Sequence, residues 1–226
     1  INPSGKYVYI TSYSGNNIFM YSINQINGQL VALSPGYINT ESSPSKIVVE
    51  PSGKYAYVTN FDSNNISMYS INQSNGQLTS IGTINTGNNP YGIDVHPSGK
   101  YIYVANYGSN NISIYSINQS NGQLSALSPA TLRSGAAPGR IVIDPTGKYA
   151  YVTNLHGKSI SMYSINQSNG QLEPLSTPTI PTGNLPTEIA VVPSGKYVYV
   201  TDSNDDTVSM YSIDQSTGQL DPLDTP

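Results

Sequence analysis

The chain contains no cysteine, so neither a disulfide framework nor thiolate chemistry is available to it. That absence leaves the compartment open. Charge is sparse as well: 9 Lys and Arg against 13 Asp and Glu make up 10% of the 226 residues, with a net charge of −4. No basic cluster exists to neutralise phosphates, which argues against nucleic acid as a partner. No apolar run approaches the ~18 residues of a membrane span, so no transmembrane segment is expected. Histidine occurs only twice. No nucleophilic triad and no glycine-rich phosphate loop opening a helix can be assembled, and no cofactor is expected. The polar residues are mostly Ser, Thr, Asn and Gln, a composition suited to an exported or surface protein, and an extracytoplasmic location is expected on that ground. The chain opens INPSGK without Met or signal peptide and stops in mid-pattern, so it reads as an excerpt of a longer polypeptide.

What is present is repetition. The decapeptide YSINQSNGQL occupies residues 69–78, 115–124 and 163–172, with near-copies at 21–30 and 211–220. A second marker, Pro-Ser/Thr-Gly-Lys-Tyr, begins at Pro3, Pro51, Pro97, Pro145 and Pro193, at spacings of 48, 46, 48 and 48. Each unit reads as four strands. Strand A is short and apolar (IVVE from Ile47, IDVH from Ile93, IVID from Ile141, IAVV from Ile189). The PSGK turn follows, and strand B alternates Tyr with β-branched residues. Strand C, such as ISMYSI from Ile66, leads through an Asn-Gly hairpin into strand D. The second unit lacks two residues between Leu78 and Pro90. Two residues are one pleat, so strand facing survives. Sheets apolar on both faces must be sandwiched between neighbours. The expectation is one all-β domain over 1–226, a β-propeller of five four-stranded antiparallel blades. Blade one retains only Ile1-Asn2-Pro3 of its strand A, and exposed apolar faces at the incomplete seam would favour self-association.

The YVTN of residues 57–60 and 151–154, YVAN from Tyr103, and the succession TG-x-x-P, PSGKYxYVTN, NISMYSI, NGQL resemble the YVTN repeat. More specifically, the chain resembles lactonase-like propellers, the group containing the propeller-type bacterial 6-phosphogluconolactonases. The resemblance spans the whole chain and implies a larger, seven-bladed ring. Relatives include lactone hydrolases, muconate-lactonising enzymes and surface proteins without established chemistry.

In such blades the A–B and C–D turns share one face of the ring, and the B–C and D–A connections share the other. The first set is near-identical in all units and the second differs in each, so a site is expected on the variable face. Four kinds of candidate lie there. The slot leading into strand A holds Lys46, Gly92, Arg140 and Glu188. These are either a charged ring for a small acidic or sugar-like ligand or a solvated mouth with one Arg140–Glu188 salt bridge. Tyr13, Phe61 and Tyr107 fill one B–C slot and Tyr91 stands on a D–A connection, either to stack on sugars or to plug gaps between blades. His156, in a B–C loop, is a general-base candidate beside Glu188 and Arg140. Asp202, Asn204 and Asp206 alternate like the start of a calcium loop but lack its Gly and distant Glu, so no metal is assigned. His96 falls on the uniform face, where it caps the PSGK turn. The sequons at Asn65, Asn72, Asn111, Asn118 and Asn166 read as by-products of Asn/Ser-rich turns.

Lactonase-type propellers carry a Pro-Arg-His-like step into an inner strand. The steps here are Pro44-Ser45-Lys46, Pro90-Tyr91-Gly92, Pro138-Gly139-Arg140 and Pro186-Thr187-Glu188. With the close repetition and charge-poor surface, this favours a non-catalytic binding scaffold with a ligand, protein or glycan on the variable face. The alternatives are a sugar-lactone hydrolase and a lectin-like glycan binder.

Overall fold

The structure, a computed structural model, describes residues 1–223. Among them there is no helix, hence none long and apolar enough to cross a membrane. The first sheet has three strands, β1 (Tyr7–Ser12), β2 (Asn17–Ile23) and β3 (Leu30–Asn39). Four four-stranded sheets follow. They are β4 (Pro44–Val49), β5 (Tyr55–Asn60), β6 (Asn65–Ile71) and β7 (Leu78–Asn85), then β8 (Pro90–Val95), β9 (Tyr101–Asn106), β10 (Asn111–Ile117) and β11 (Leu124–Arg133). Next come β12 (Pro138–Ile143), β13 (Tyr149–Asn154), β14 (Ser159–Ile165) and β15 (Leu172–Pro181), and last β16 (Pro186–Val191), β17 (Tyr197–Asp202), β18 (Thr207–Ile213) and β19 (Leu220–Pro222). The inner strands β4, β8, β12 and β16 pack side by side around one axis. Blade one has no strand inside β1.

Four separate hydrophobic cores form, each between two adjacent blades. Tyr57, Ile66 and Met68 of blade two, for example, meet Ile93, Ile102, Val104 and Tyr115 of blade three. No blade has a core of its own, because both faces of each sheet are apolar.

The repeated hairpin joins these blades. The buried hydroxyls of Tyr9, Tyr57, Tyr103 and Tyr151 donate to the carbonyls of Gly76, Gly122, Gly170 and Gly218 in the next blade, at 2.8, 3.0, 2.9 and 2.8 Å. Burial raises the pKa of these phenols, which keeps the donors protonated. The tyrosine two positions earlier lies against the same glycine. A Cβ there would fall 2.2–2.4 Å from the ring of Tyr7, Tyr55, Tyr101 or Tyr149. Each glycine also has φ +75°, which disfavours any side chain. At the two ends the halves are unmatched: nothing stands within 4 Å of a Cβ on Gly28, and Tyr197 and Tyr199 are 41% and 39% exposed.

Two local features depart from the simple repeat. The missing pair of residues in unit two comes out of the bulge in strand D. Between Ser67↔Thr83 and Tyr69↔Ser80, β7 has two residues; between Ser113↔Thr131 and Tyr115↔Ala126, β11 has four. The second departure corrects the expected strand A boundaries. The inner strands begin at Pro44, Pro90, Pro138 and Pro186, three residues before the isoleucines, because a bulge extends the ladder. In β12, Gly139 and Arg140 stand opposite Thr153 alone. The bulged N–H groups of Lys46, Arg140 and Glu188 donate to the hydroxyls of Thr59, Thr153 and Thr201 (3.3, 2.9 and 3.1 Å). The Thr of YVTN, or of YVTD in blade five, thereby holds the extra residue that a bulge would leave unpaired.

The B–C loops end in a left-handed residue. In the first three blades it is Asn16, Asn64 or Asn110, whose Oδ1 accepts from the N–H of Ser43, Asn89 or Ala137 on the adjacent D–A connection. Blade four has Lys158 there, at φ +47°. Lys158→Asn is expected to supply the acceptor for Leu185 N–H and relieve strain, raising stability by about 1 kcal/mol. A urea midpoint at or below that of the parent would refute this.

Candidate functional site

The bulge slot places Lys46, Arg140 and Glu188 near the start of the inner strands β4, β12 and β16, on the variable face. Arg140 is the centre. Its Nε and Nη2 both donate to Oε1 of Glu188, at 2.8 and 2.7 Å, and its Cζ stands 4.7 Å from the centroid of the Tyr91 ring. Its Nη1 is buried without a hydrogen-bond partner. The Arg140 side chain is 15% exposed and that of Glu188 56%. Gly92 fills the intervening slot because a Cβ would meet the Gly139 carbonyl at 2.4 Å. The close approach of β8 and β12 therefore excludes any side chain there.

Lys46 makes no ion pair or side-chain hydrogen bond among the described residues. Burial lowers its pKa and the Arg140 charge adds to this, while Asp94 and Glu188 oppose it. Asp94, on β8, is a member of the site that the sequence reading passed over. Its Oδ1 accepts from Val95 N–H and its Oδ2 from Ile143 N–H of the next blade, both at 2.9 Å. Burial pushes its carboxyl pKa up, against these bonds and the Lys46 charge. Asp94 also borders a cavity of about 280 Å³ lined by Ile1, Tyr9, Val48 and Val95.

A lysine whose folded pKa is depressed contributes stability that is present above its ordinary pKa and lost as pH falls through the folded value. Near neutrality Lys46 is therefore a cost to the fold. Lys46→Met is expected to raise the melting temperature near neutral pH, and its advantage should shrink as pH rises toward ~10.4, the ordinary lysine pKa. An advantage that grows with pH would contradict the burial of the charge.

The aromatic candidates come together. Ring centroids of Tyr13 and Phe61 lie 6.2 Å apart, those of Phe61 and Tyr107 6.1 Å, and those of Tyr107 and His156 5.6 Å. Tyr91 meets Phe61 edge-on at 6.2 Å and so joins this arc to Arg140. His156 pairs with the Tyr107 hydroxyl (3.2 Å) and belongs to the arc rather than to the charged cluster.

The calcium-like loop folds as a turn. Asp202 is buried and accepts from the hydroxyls of Thr182 and Ser209, at 2.8 and 2.6 Å. Asn204 N–H donates to the Asn184 carbonyl. Asp206 takes the left-handed position of the loop. Among the described residues no three His, Asp or Glu side chains are placed to share an ion. His96 bridges Ser98 Oγ and the Gly147 carbonyl, both at 2.8 Å, on the opposite face.

The profile of the family described as lactonase, 7-bladed beta-propeller, matches residues 1–132 and 126–226. The chain belongs to this family. Solved structures share the fold. A Bacteroides uniformis protein provisionally assigned as a 6-phosphogluconolactonase is 22% identical, with TM-score 0.86 over 96% of this chain and 67% of its own. A functionally unknown Desulfotomaculum acetoxidans protein is 24% identical, with TM-score 0.79, covering 97% and 66%. The Pseudomonas aeruginosa periplasmic gluconolactonase is 16% identical, with TM-score 0.61, covering 98% and 82%. The chain thus spans about two thirds of the length of the first two. Comparison with curated proteins gives no match.

Proposed function

We propose that the channel mouth binds a sugar acid or its lactone and hydrolyses the lactone. The observation that carries this reading is the pair of open cationic donors in the bulge slot, beside which burial disfavours the charge of Asp94. Arg140 has an unsatisfied Nη1, and Lys46 has no acid partner among the described residues. Against them stands Glu188, bound to Arg140 through Oε1 only. Two cationic donors suit a carboxylate, or the oxyanion that develops when a lactone carbonyl is attacked. Glu188 Oε2 takes the proton of the attacking water, whose oxygen bonds to the carbonyl carbon. Arg140 and Lys46 hold the oxyanion. The ring C–O bond then breaks and the departing alkoxide takes up a proton, so that lactone plus water gives the hydroxy acid.

Membership of the lactonase family supports this reading over the non-catalytic scaffold that repetition alone favours. An extracytoplasmic location is proposed with it, supported by the charge-poor polar composition and by the periplasmic Pseudomonas relative. The test is calorimetric titration with gluconate and 6-phosphogluconate, alongside turnover of their lactones. Arg140→Ala is expected to abolish binding while changing stability by only about 1 kcal/mol, since Glu188, the partner left behind, is 56% exposed and remains solvated. A parent chain that neither binds nor turns over these ligands leaves the scaffold reading in place.

A further inference from the structure

We infer that the aromatic arc is a second subsite, which takes the outer rings of an acidic oligosaccharide whose terminal uronic acid sits at Arg140 and Lys46. This rests on the channel mouth being a sugar-acid site. The slot holding Tyr13, Phe61 and Tyr107 holds Leu155 and Ser203 in blades four and five, so the blade does not require a ring there. Rings from three B–C loops and from the start of β8 nevertheless gather around Phe61, with Tyr13, Tyr91 and Tyr107 each within 6.2 Å of it, and Tyr13 remains 47% exposed.

The arc also continues into the charged cluster, because Tyr91 touches both Phe61 and Arg140. Its chemistry is apolar faces edged by hydroxyls and an imidazole. That suits pyranose rings, which offer C–H faces to aromatic surfaces and hydroxyls to Tyr107 and His156. A cation contacts the arc at its Tyr91 end, where Arg140 lies over the ring, so acidic recognition is placed at that end.

The test is calorimetry with galacturonic and glucuronic acids and their tri- and tetramers, plus neutral cellotetraose. An acidic tetramer is expected to bind the parent at least about tenfold more tightly than its monomer. Phe61→Ala combined with Tyr107→Ala should bring the tetramer to monomer affinity and leave monomer binding unchanged. Tyr13→Ala, at an exposed ring, should lower tetramer affinity about threefold with a native melting temperature. Tetramers that bind no better than monomers, or a folded double variant that keeps the gain, would overturn the subsite and leave the channel reading standing. Cellotetraose binding without any monomer binding would overturn the channel reading and, with it, the acidic-oligosaccharide subsite, leaving a neutral-glycan face on the arc. If no member of the series binds, both fall.

Discussion

Gly170→Ala is expected to destabilise the chain by about 2–5 kcal/mol, whereas Gly28→Ala, in the same hairpin motif, should cost only about 1–2 kcal/mol. Both glycines have φ +75°, so both substitutions carry the strain of a left-handed side chain. They differ in what a Cβ would meet. At Gly170 it would lie 2.4 Å from Cδ1 of Tyr101, whose hydroxyl donates to the Ser168 carbonyl and whose ring is flanked by His96 at 6.0 Å. At Gly28 there is open space. The excess at Gly170 is therefore the cost of prying two blades apart. Urea unfolding of the two variants measures it directly. Equal losses would show that the hairpin needs glycine for its backbone alone, and that the tyrosine contact contributes nothing.

Glu188→Gln is expected to lower kcat for lactone hydrolysis by about 10²–10⁴, with little change in KM. The amide oxygen can still accept from Arg140, so position and fold are preserved while the proton acceptor is lost. A melting temperature near that of the parent accompanies this expectation. Undiminished turnover would remove Glu188 from the reaction and require a different base. Together with Arg140→Ala, which should lose both affinity and rate, the variant isolates the proton-transfer step, since Glu188→Gln is read in rate alone.

The period, the four strands and the missing inner strand of blade one are legible in the sequence, because Asn-Gly and Pro-Ser-Gly-Lys are strong local turn signals repeated at a near-constant interval. The Arg140–Glu188 contact is legible for a similar reason: equal slots in adjacent blades must be neighbours. Asp94 is not, since in IDVH it looks like one polar letter in an apolar strand. Its role appears only when Ile143 N–H of another blade arrives beside it. Nor does spacing show that His156 joins Tyr107 rather than Glu188, because the loops themselves decide which way those side chains reach. The bulge that starts each inner strand at proline is likewise a product of pairing, with Thr59, Thr153 and Thr201 supplying the acceptors that the sequence pattern leaves without a purpose.

The tyrosine–glycine clasp has a kinetic consequence. Every clasp uses the same two chemical groups, and three of the hairpins that receive it are identical in sequence, at residues 69–78, 115–124 and 163–172. A tyrosine pair searching for its hairpin during folding therefore finds several equivalent acceptors, and only chain connectivity tells the right one from the next. A blade docked one place out of step makes the same clasp, and is opposed by the strain of the connecting segment and by the two apolar faces left uncovered on the skipped blade. Refolding from denaturant should thus populate compact states docked one blade out of step. Their escape requires a whole interface to separate, which makes the refolding of this chain slower than its local hairpins would suggest.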